Sequence, residues 1–319
     1  DEATDINDEG TIVGRYRVEN TYRGYLFDET TYTDLGVVRN GNTTEPLAIN
    51  NNGVVTGRSG NSLAKPFPQT FLWQDGTLTN LFDVIGGERN QGSDISDNGD
   101  IFGWWIKTNG NLSDPIAYIY DRDSQTDFAI PFGELSIVGG AVNNNRETIG
   151  GVIVNNNGED EARLTWYVDS PDADPIDIGL LPGFESSSEQ DLNDKGVAVG
   201  FAKQSPGLSQ PWVWVDGQLY DIADLLVQGT KIESLVEAYA INNEGNIALN
   251  AVVNEDPALV ILSPVNSQMG DITGNCTVDV VDLLELLEAW GTNNQFADLN
   301  KDEIVDVSDL LALLAGWND

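Results

Sequence analysis

The feature that most constrains the fold is a turn motif of about ten residues that recurs six times within residues 1–265. The first copy reads DINDEGTIVG and the second AINNNGVVTG, and successive copies lie 43 to 50 residues apart. The copies begin at Asp5, Ala48, Asp94, Ala141, Asp191 and Ala240. A second marker, strand–turn–strand, places an aromatic residue at Phe27, Trp73, Tyr120, Tyr167 and Trp214. A period of this length is typical of a propeller blade.

Each repeat contains four short runs that are typical of strands. In the second copy these runs are LAI, VVTG, TFLW and TLTNL, separated by Asn-, Asp- and Gly-rich turns. Six copies predict a mainly β fold, a six-bladed β-propeller over residues 1–263, with an open β-solenoid as the alternative. The sixth copy lacks a fourth run. It therefore predicts either a three-stranded blade or an open edge that accepts a strand from another molecule.

A different pattern follows the repeats. Residues 264–269 form a linker, and residues 270–319 hold two twelve-residue acidic loops, DITGNCTVDVVD and DLNKDEIVDVSD, each followed by a Leu-rich helix. Oxygen donors at positions 1, 3, 5, 7, 9 and 12 match the ligand spacing of an EF-hand calcium loop. The predicted ligands are Asp271, Thr273, Asn275, Thr277, Asp279, Asp282, Asp298, Asn300, Asp302, Ile304, Asp306 and Asp309. The sequence thus predicts two calcium ions.

These motifs resemble two known families. Residues 270–319 are similar to the dockerin type I domain, in the form found in planctomycete-type secreted proteins. That resemblance implies a fold that depends on two calcium ions and a docking partner, typically a cohesin. The repeats resemble the extracellular HAF-type repeat, with its A-I-N-x-x-G-x-x-x-G turn. That second resemblance implies an extracellular propeller without a defined activity.

Composition excludes several classes of partner and catalyst. The net charge is −37, with 52 acidic and 15 basic residues, which disfavours nucleic acid and anionic membrane surfaces. No apolar run is long enough to span a membrane. The chain lacks histidine, which removes His-dependent catalysis, and the lone Cys276 allows no internal disulfide. We expect a secreted, extracellular protein whose leader is absent from this chain.

Three further groups of residues are candidates for a site. The turn acids Asp5, Asp8, Asp94, Asp97, Asp191 and Asp194 either hold additional calcium or stabilise the hairpin turns, and the turn role is favoured. Trp104 and Trp105 either stack on sugars or pack in the core with one exposed ring. Glu185, Glu189 and Asp191 are assigned to a solvated loop.

Two functions are compatible with these features. The first is a non-catalytic structural or assembly protein, whose tail docks onto a cohesin-like partner or onto another copy in a head-to-tail fibre. The alternative is a carbohydrate-binding module or polysaccharide-active enzyme carried by the dockerin-like tail. No catalytic residue is assigned, and we expect no enzymatic activity.

Overall fold

The computed structural model describes residues 2–38, 40–61, 67–87, 89–106, 116–129, 136–155, 161–168, 173–204, 207–227, 231–264, 270–273, 278–294, 297–300, 302, 304–315 and 317. Within these ranges the chain is mainly β and forms six antiparallel sheets that follow one another along the sequence. Two helices near the C-terminus lie outside the sheets.

The strands of each sheet follow chain order. Sheet 1 contains β1 (Glu2–Ile6), β2 (Ile12–Val18), β3 (Thr21–Phe27) and β4 (Tyr32–Asp34). Sheet 2 contains β5 (Thr43–Ile49), β6 (Val55–Gly60), β7 (Gln69–Gln74) and β8 (Thr77–Asn80). Sheet 3 contains β9 (Arg89–Ile95), β10 (Ile101–Ile106), β11 (Ile116–Asp121) and β12 (Thr126–Ala129).

The remaining sheets continue the same pattern. Sheet 4 contains β13 (Ser136–Val142), β14 (Thr148–Asn155), β15 (Glu161–Val168) and β16 (Ile176–Asp177). Sheet 5 contains β17 (Ser186–Leu192), β18 (Ala198–Gln204), β19 (Leu208–Val215) and β20 (Gln218–Asp221). Sheet 6 contains β21 (Ile232–Ile241), β22 (Ile247–Val253) and β23 (Asp256–Leu262). The helices are α1 (Phe82–Ile85), α2 (Val280–Glu288) and α3 (Val307–Ala315), with a 3₁₀ turn at Ile222–Leu225.

The turn motif joins the first and second strands of every sheet, as the sequence predicted. Its glycine has positive φ, for example +69° at Gly53, which a residue with a side chain adopts only at a cost. Arg146 occupies this position in sheet 4 at φ +65°. Its guanidinium Nε donates to the buried Asp100 at 2.6 Å, and a second nitrogen lies 3.1 Å from Asp121. These charge-assisted bonds offset the backbone strain.

The core lies between neighbouring sheets. Ile49, at the end of β5, packs with Val13 and Leu26 of sheet 1 and with Val55 and Trp73 of its own sheet. Comparable clusters join sheets 2 and 3, 3 and 4, 4 and 5, and 5 and 6. Sheets 2 to 5 are therefore apolar on both faces and pack against a neighbour on each side.

The repeated aromatic position is core in most sheets, with one correction to its alignment. Trp73, Tyr120 and Trp214 are buried. In sheet 4, Gly150 pairs with Trp166, as Gly200 pairs with Trp212 in sheet 5, so the equivalent residue is Val168 and not Tyr167. A shift of one residue turns a side chain to the opposite face of a strand. Tyr167 accordingly packs with sheet 5 residues.

The predicted loop at residues 185–191 is wrong in part. Residues Ser186–Leu192 form β17, the first strand of sheet 5, and Glu189 is 3% exposed. The polar composition SSSEQD concealed a strand, because buried polar side chains take the place of apolar ones; the Ser187 hydroxyl, for example, hydrogen-bonds to that of Thr165 in sheet 4 at 2.7 Å.

The C-terminal helices form a small core of their own. Leu286 and Leu313 are fully buried and pack with Val278, Ala297 and Val305. No helix in the described ranges is long and apolar enough to cross a membrane.

Candidate functional site

The first strands of all six sheets end at one shared cavity of about 800 Å³. We call it the axial cavity. Seven acidic residues line it, and no lysine or arginine is among its described lining residues. The acids are Asp5, Asp8, Asp94, Asp97, Asp191, Asp194 and Glu244. The turn motif, which fixes the fold, also places these side chains around a common centre.

Two residue types alternate around this cavity. The first motif position is Asp in sheets 1, 3 and 5 (Asp5, Asp94, Asp191) and Ala in sheets 2, 4 and 6. Each carboxylate bridges to the next sheet: Asp5 Oδ2 accepts from the Ile49 amide at 2.7 Å. The same bond joins Asp94 to Val142 at 2.7 Å and Asp191 to Ile241 at 2.8 Å. The cavity therefore has approximate three-fold symmetry built from pairs of sheets.

A second series of alternating Asp and Asn residues occupies the fourth motif position. Asn51 Nδ2 donates to Asp8 Oδ2 at 2.9 Å and to Asp97 Oδ2 at 3.2 Å. Asn144 Nδ2 makes the same pair of bonds to Asp97 at 3.3 Å and Asp194 at 2.9 Å. The amides hold the carboxylates in place without neutralising their charge.

Burial changes the acidity of the inner three carboxyls. Burial, together with the neighbouring carboxylates of Asp94 and Asp5, raises the pKa of Asp191 to about 7. Burial, with the charge of Asp94, raises the pKa of Asp5 to about 6, and burial raises that of Asp94. Hydrogen bonds from backbone amides oppose these shifts. Three like charges directed at one cavity are costly to ionise, and a cation would relieve that cost.

These pKa shifts predict that stability falls as pH rises. Between about pH 4 and 7 the folded protein holds more protons on these carboxyls than the unfolded chain does, so the free energy of unfolding decreases across this window. From Asp5 and Asp191 together we expect a loss on the order of 4 kcal/mol between pH 5 and pH 8, and Asp94 adds to it in the same direction. Urea unfolding at pH 5 and pH 8 measures it. The triple variant Asp5→Asn, Asp94→Asn, Asp191→Asn should show a smaller difference, and an unchanged difference would contradict the assignment.

The predicted calcium loops are only partly described. Asn275 and Thr277 lie outside the described residues. In the second loop, Asp309 is fully buried, and its carboxylate accepts from the amides of Asn300 at 3.0 Å and Asp306 at 2.8 Å. In the first, Asp282 accepts in the same way from Thr273 and Asp279. Hard oxygen donors fit calcium, and the two calcium sites stay a prediction.

Asp282 and Asp309 also serve the fold of the helices. Asp279 and Asp282 form a capping box at the start of α2. Burial raises the pKa of both Asp282 and Asp309, but hydrogen bonds from backbone amides outweigh it and leave both values lowered. Both carboxyls are therefore ionised at neutral pH. Within the described ranges, no group of three acidic or cysteine side chains is arranged to hold a metal ion.

The tryptophan pair lies in β10 of sheet 3. Trp104 and Trp105 are both half-buried, and Trp105 packs against the core cluster between sheets 2 and 3. The contact with Gly87 is close, because a Cβ at this position would lie 3.3 Å from the Trp105 ring. Trp105 therefore fits the predicted role of core packing.

The acids of the axial cavity were visible in the sequence, but their role was not. For the six aspartates the sequence favours a role in stabilising the turns, and Glu244 is not among the sequence candidates. The alternation of Asp and Ala at the first motif position is the signal that distinguishes them, since a simple turn role would not repeat with every second copy.

Comparisons with known proteins give the fold. No protein-family model and no curated protein matches the chain. Among solved structures, the β-propeller domain of the Trilobed protease from Pyrococcus furiosus is 10% identical, with 82% of this chain and 80% of that chain covered and a TM-score of 0.49. A prolyl endopeptidase is 7% identical, with 82% and 41% covered and a TM-score of 0.55. An oligogalacturonate lyase in complex with manganese is 12% identical, with 80% and 72% covered and a TM-score of 0.54.

These comparisons contradict the predicted function. A non-catalytic structural or assembly protein is predicted from the sequence, whereas two solved structures that share this fold are a prolyl endopeptidase and an oligogalacturonate lyase. This chain spans 41% of the prolyl endopeptidase. The likeness is one of fold. The chain is therefore a β-propeller with an acidic axial cavity.

Proposed function

We propose that the chain is a peptidase-related, six-bladed β-propeller that binds the cationic end of a peptide in its axial cavity. Each of the six sheets is one blade, and the sixth has three strands. The observation that carries the proposal is the convergence of Asp5, Asp94 and Asp191 on one cavity whose described lining has no basic residue. A cavity lined by charge of one sign concentrates ligands of the opposite sign.

The geometry favours an ammonium group over a bare metal ion. An ammonium group presents three N–H donors, which corresponds to the three-fold repetition of the carboxylates. Within the described residues these carboxylates are not arranged as a metal-binding group. Because each inner carboxylate oxygen already accepts a backbone amide, one lone pair per oxygen is left for a ligand. An anionic oligosaccharide is disfavoured by the same charge.

Calorimetry with Gly-Gly-Gly-amide tests the proposal, since this peptide has one positive charge and no carboxylate. We expect binding at pH 7.5 and at least a tenfold loss for the triple variant Asp5→Asn, Asp94→Asn, Asp191→Asn. The N-acetylated peptide should not bind. Binding should weaken as pH falls from 8 to 5, because protonation of the carboxyls with raised pKa competes with the cation.

A matched control separates the cavity from the overall charge. Asp75→Asn, Asp123→Asn and Asp216→Asn remove the same three charges from exposed turns, and this variant should bind like the parent. Equal loss in both variants would show that net charge alone attracts the peptide. Binding of MnCl₂ but not of the peptide would overturn the ammonium assignment in favour of a metal ion.

The tail carries a separate proposal, namely that residues 270–319 form a dockerin-like module with two calcium ions. The ligand spacing supports it, together with the two helices and the hydrogen bonds received by Asp282 and Asp309. The second loop has four carboxylates against three in the first, so it should bind calcium more tightly. The exposed side chains of Leu284, Leu287, Leu311 and Leu314 are the proposed contact for a cohesin-like protein partner, in an extracellular setting.

A further inference from the structure

Neighbouring sheets are joined by the same hydrogen bond at five junctions. Between sheets 1 and 2 the Asp8 amide donates to Asn51 Oδ1 at 2.9 Å. The equivalent bonds join Asn51 to Asp97, Asp97 to Asn144, Asn144 to Asp194 and Asp194 to Asn243, at 2.7 to 2.9 Å. A closed ring would add a sixth bond from Asn243 to Asp8. That bond is not present between these two described residues.

Side-chain exposure shows the same break on sheet 1. The second motif position is Ile6 in sheet 1, and this side chain is 59% exposed. Its equivalents in the other sheets are 4 to 7% exposed, because each packs against the preceding sheet. They are Ile49, Ile95, Val142, Leu192 and Ile241. The preceding sheet for Ile6 would be sheet 6.

Sheet 6 presents a matching apolar face. Ile261 of β23 pairs with Ala248, as Val213 pairs with Val199 in sheet 5. Ile261 is 69% exposed, whereas Val213 is 6% exposed. The neighbouring Leu259 is 72% exposed. Two faces of the kind that is buried elsewhere in the molecule are therefore uncovered on either side of one gap, which we call the seam.

The seam leads into the axial cavity. Ile6, Ala248 and Ile261 line this cavity together with the seven acidic residues. The acids near the seam, Asp8 on sheet 1 and Glu244 on sheet 6, are both exposed and carry like charge. Apolar burial favours closure of the seam, and repulsion between carboxylates opposes it.

We propose that the seam between sheets 1 and 6 is a side entrance to the axial cavity, which closes by forming the contact already present at the other five junctions. The occupant of each exposed face is thus the opposite face of the same chain. A cationic ligand would favour closure because it neutralises the carboxylates on both sides. This last step rests on the proposed function, whereas closure itself does not.

Disulfide trapping tests closure without any ligand. In a Cys276→Ser background, Asp8→Cys with Asn243→Cys places thiols across the seam. Asp8→Cys with Asn51→Cys is the matched control at a formed junction, where the Asp8 amide nitrogen lies 2.9 Å from Asn51 Oδ1. Asp8→Cys with Asp216→Cys pairs the seam with a distant turn. We expect oxidation, followed by peptide mass spectrometry, to link the seam pair at least tenfold faster than the distant pair. Equal rates for these two would overturn closure.

The linked protein then tests the entrance. We expect Gly-Gly-Gly-amide to associate at least tenfold more slowly with the oxidised seam pair and to recover after reduction with dithiothreitol. Gly-Gly-Gly-amide should also accelerate cross-linking of the reduced pair. An unchanged association rate in the linked protein would show that the seam is not the entrance. Failure of the peptide to bind the reduced protein would overturn the proposed cavity ligand, while the trapping rates would still decide closure.

Discussion

Removal of calcium with EDTA should unfold residues 270–319 and leave the six sheets folded. The tail core contains six buried apolar residues and is separate from the clusters that join the sheets. A module of this size buries too little apolar surface to be stable without a bound metal ion or a disulfide. Each calcium ion at about 1,000 times its Kd would contribute about 4 kcal/mol, so two ions supply about 8 kcal/mol. Without calcium, the carboxylates of Asp298, Asp302 and Asp306 repel one another.

Scanning calorimetry provides the measurement. With calcium we expect two thermal transitions, of which EDTA removes only the one from the tail. Asp298→Asn with Asp309→Asn should have the effect of EDTA on the tail, whereas the cavity variant Asp5→Asn should leave that transition in place. A single transition that EDTA shifts as a whole would show that tail and propeller unfold together, and an unaltered thermogram would refute the calcium sites.

The strand pattern of the propeller could be predicted from the sequence, because local turn chemistry determines it. An Asn- or Asp-rich turn ending in a glycine at positive φ, such as Gly53, defines the hairpin in five of the six sheets independently of the rest of the molecule. In the described residues sheet 6 has three strands, as the sixth copy of the repeat predicts. Where a polar strand such as β17 replaced the usual alternation, the prediction was wrong.

The cavity and the seam depend on relations between repeats, which a reading of one repeat at a time does not give. Asp5 and Asp94 occupy the same position of the turn motif. Only the folded arrangement brings their carboxylates to one cavity, where the charge of Asp94 raises the pKa of Asp5. Ile6 and Ile49 are likewise equivalent in sequence and differ only in whether a preceding sheet covers them. A comparison of the copies with one another would have shown the Asp and Ala alternation, whereas the open junction required coordinates.

Gly200→Ala should destabilise the propeller by about 3 kcal/mol, because the added methyl group has no space. A Cβ at this position would lie 2.2 Å from the backbone oxygen of Ser188 and 2.5 Å from the Trp212 ring. Trp212 is fully buried and cannot move away, and Ser188 belongs to the neighbouring strand β17. Chemical denaturation of the parent and the variant, followed by tryptophan fluorescence, measures the change in the free energy of unfolding.

Two further variants identify the cause of that loss. Gly217→Ala, in a turn of the same sheet, has φ +77° and no atom within 4 Å, so it tests backbone strain alone and should cost about 1 kcal/mol. Trp212→Leu combined with Gly200→Ala removes the ring contact but keeps the clash with the Ser188 oxygen. We expect the combination to remain less stable than Trp212→Leu alone, because a strand backbone held by a ladder of hydrogen bonds yields less readily than a side chain. If Gly200→Ala costs nothing in the Trp212→Leu background, the ring is the whole obstacle. The glycine then serves aromatic packing and not the close approach of β17 and β18.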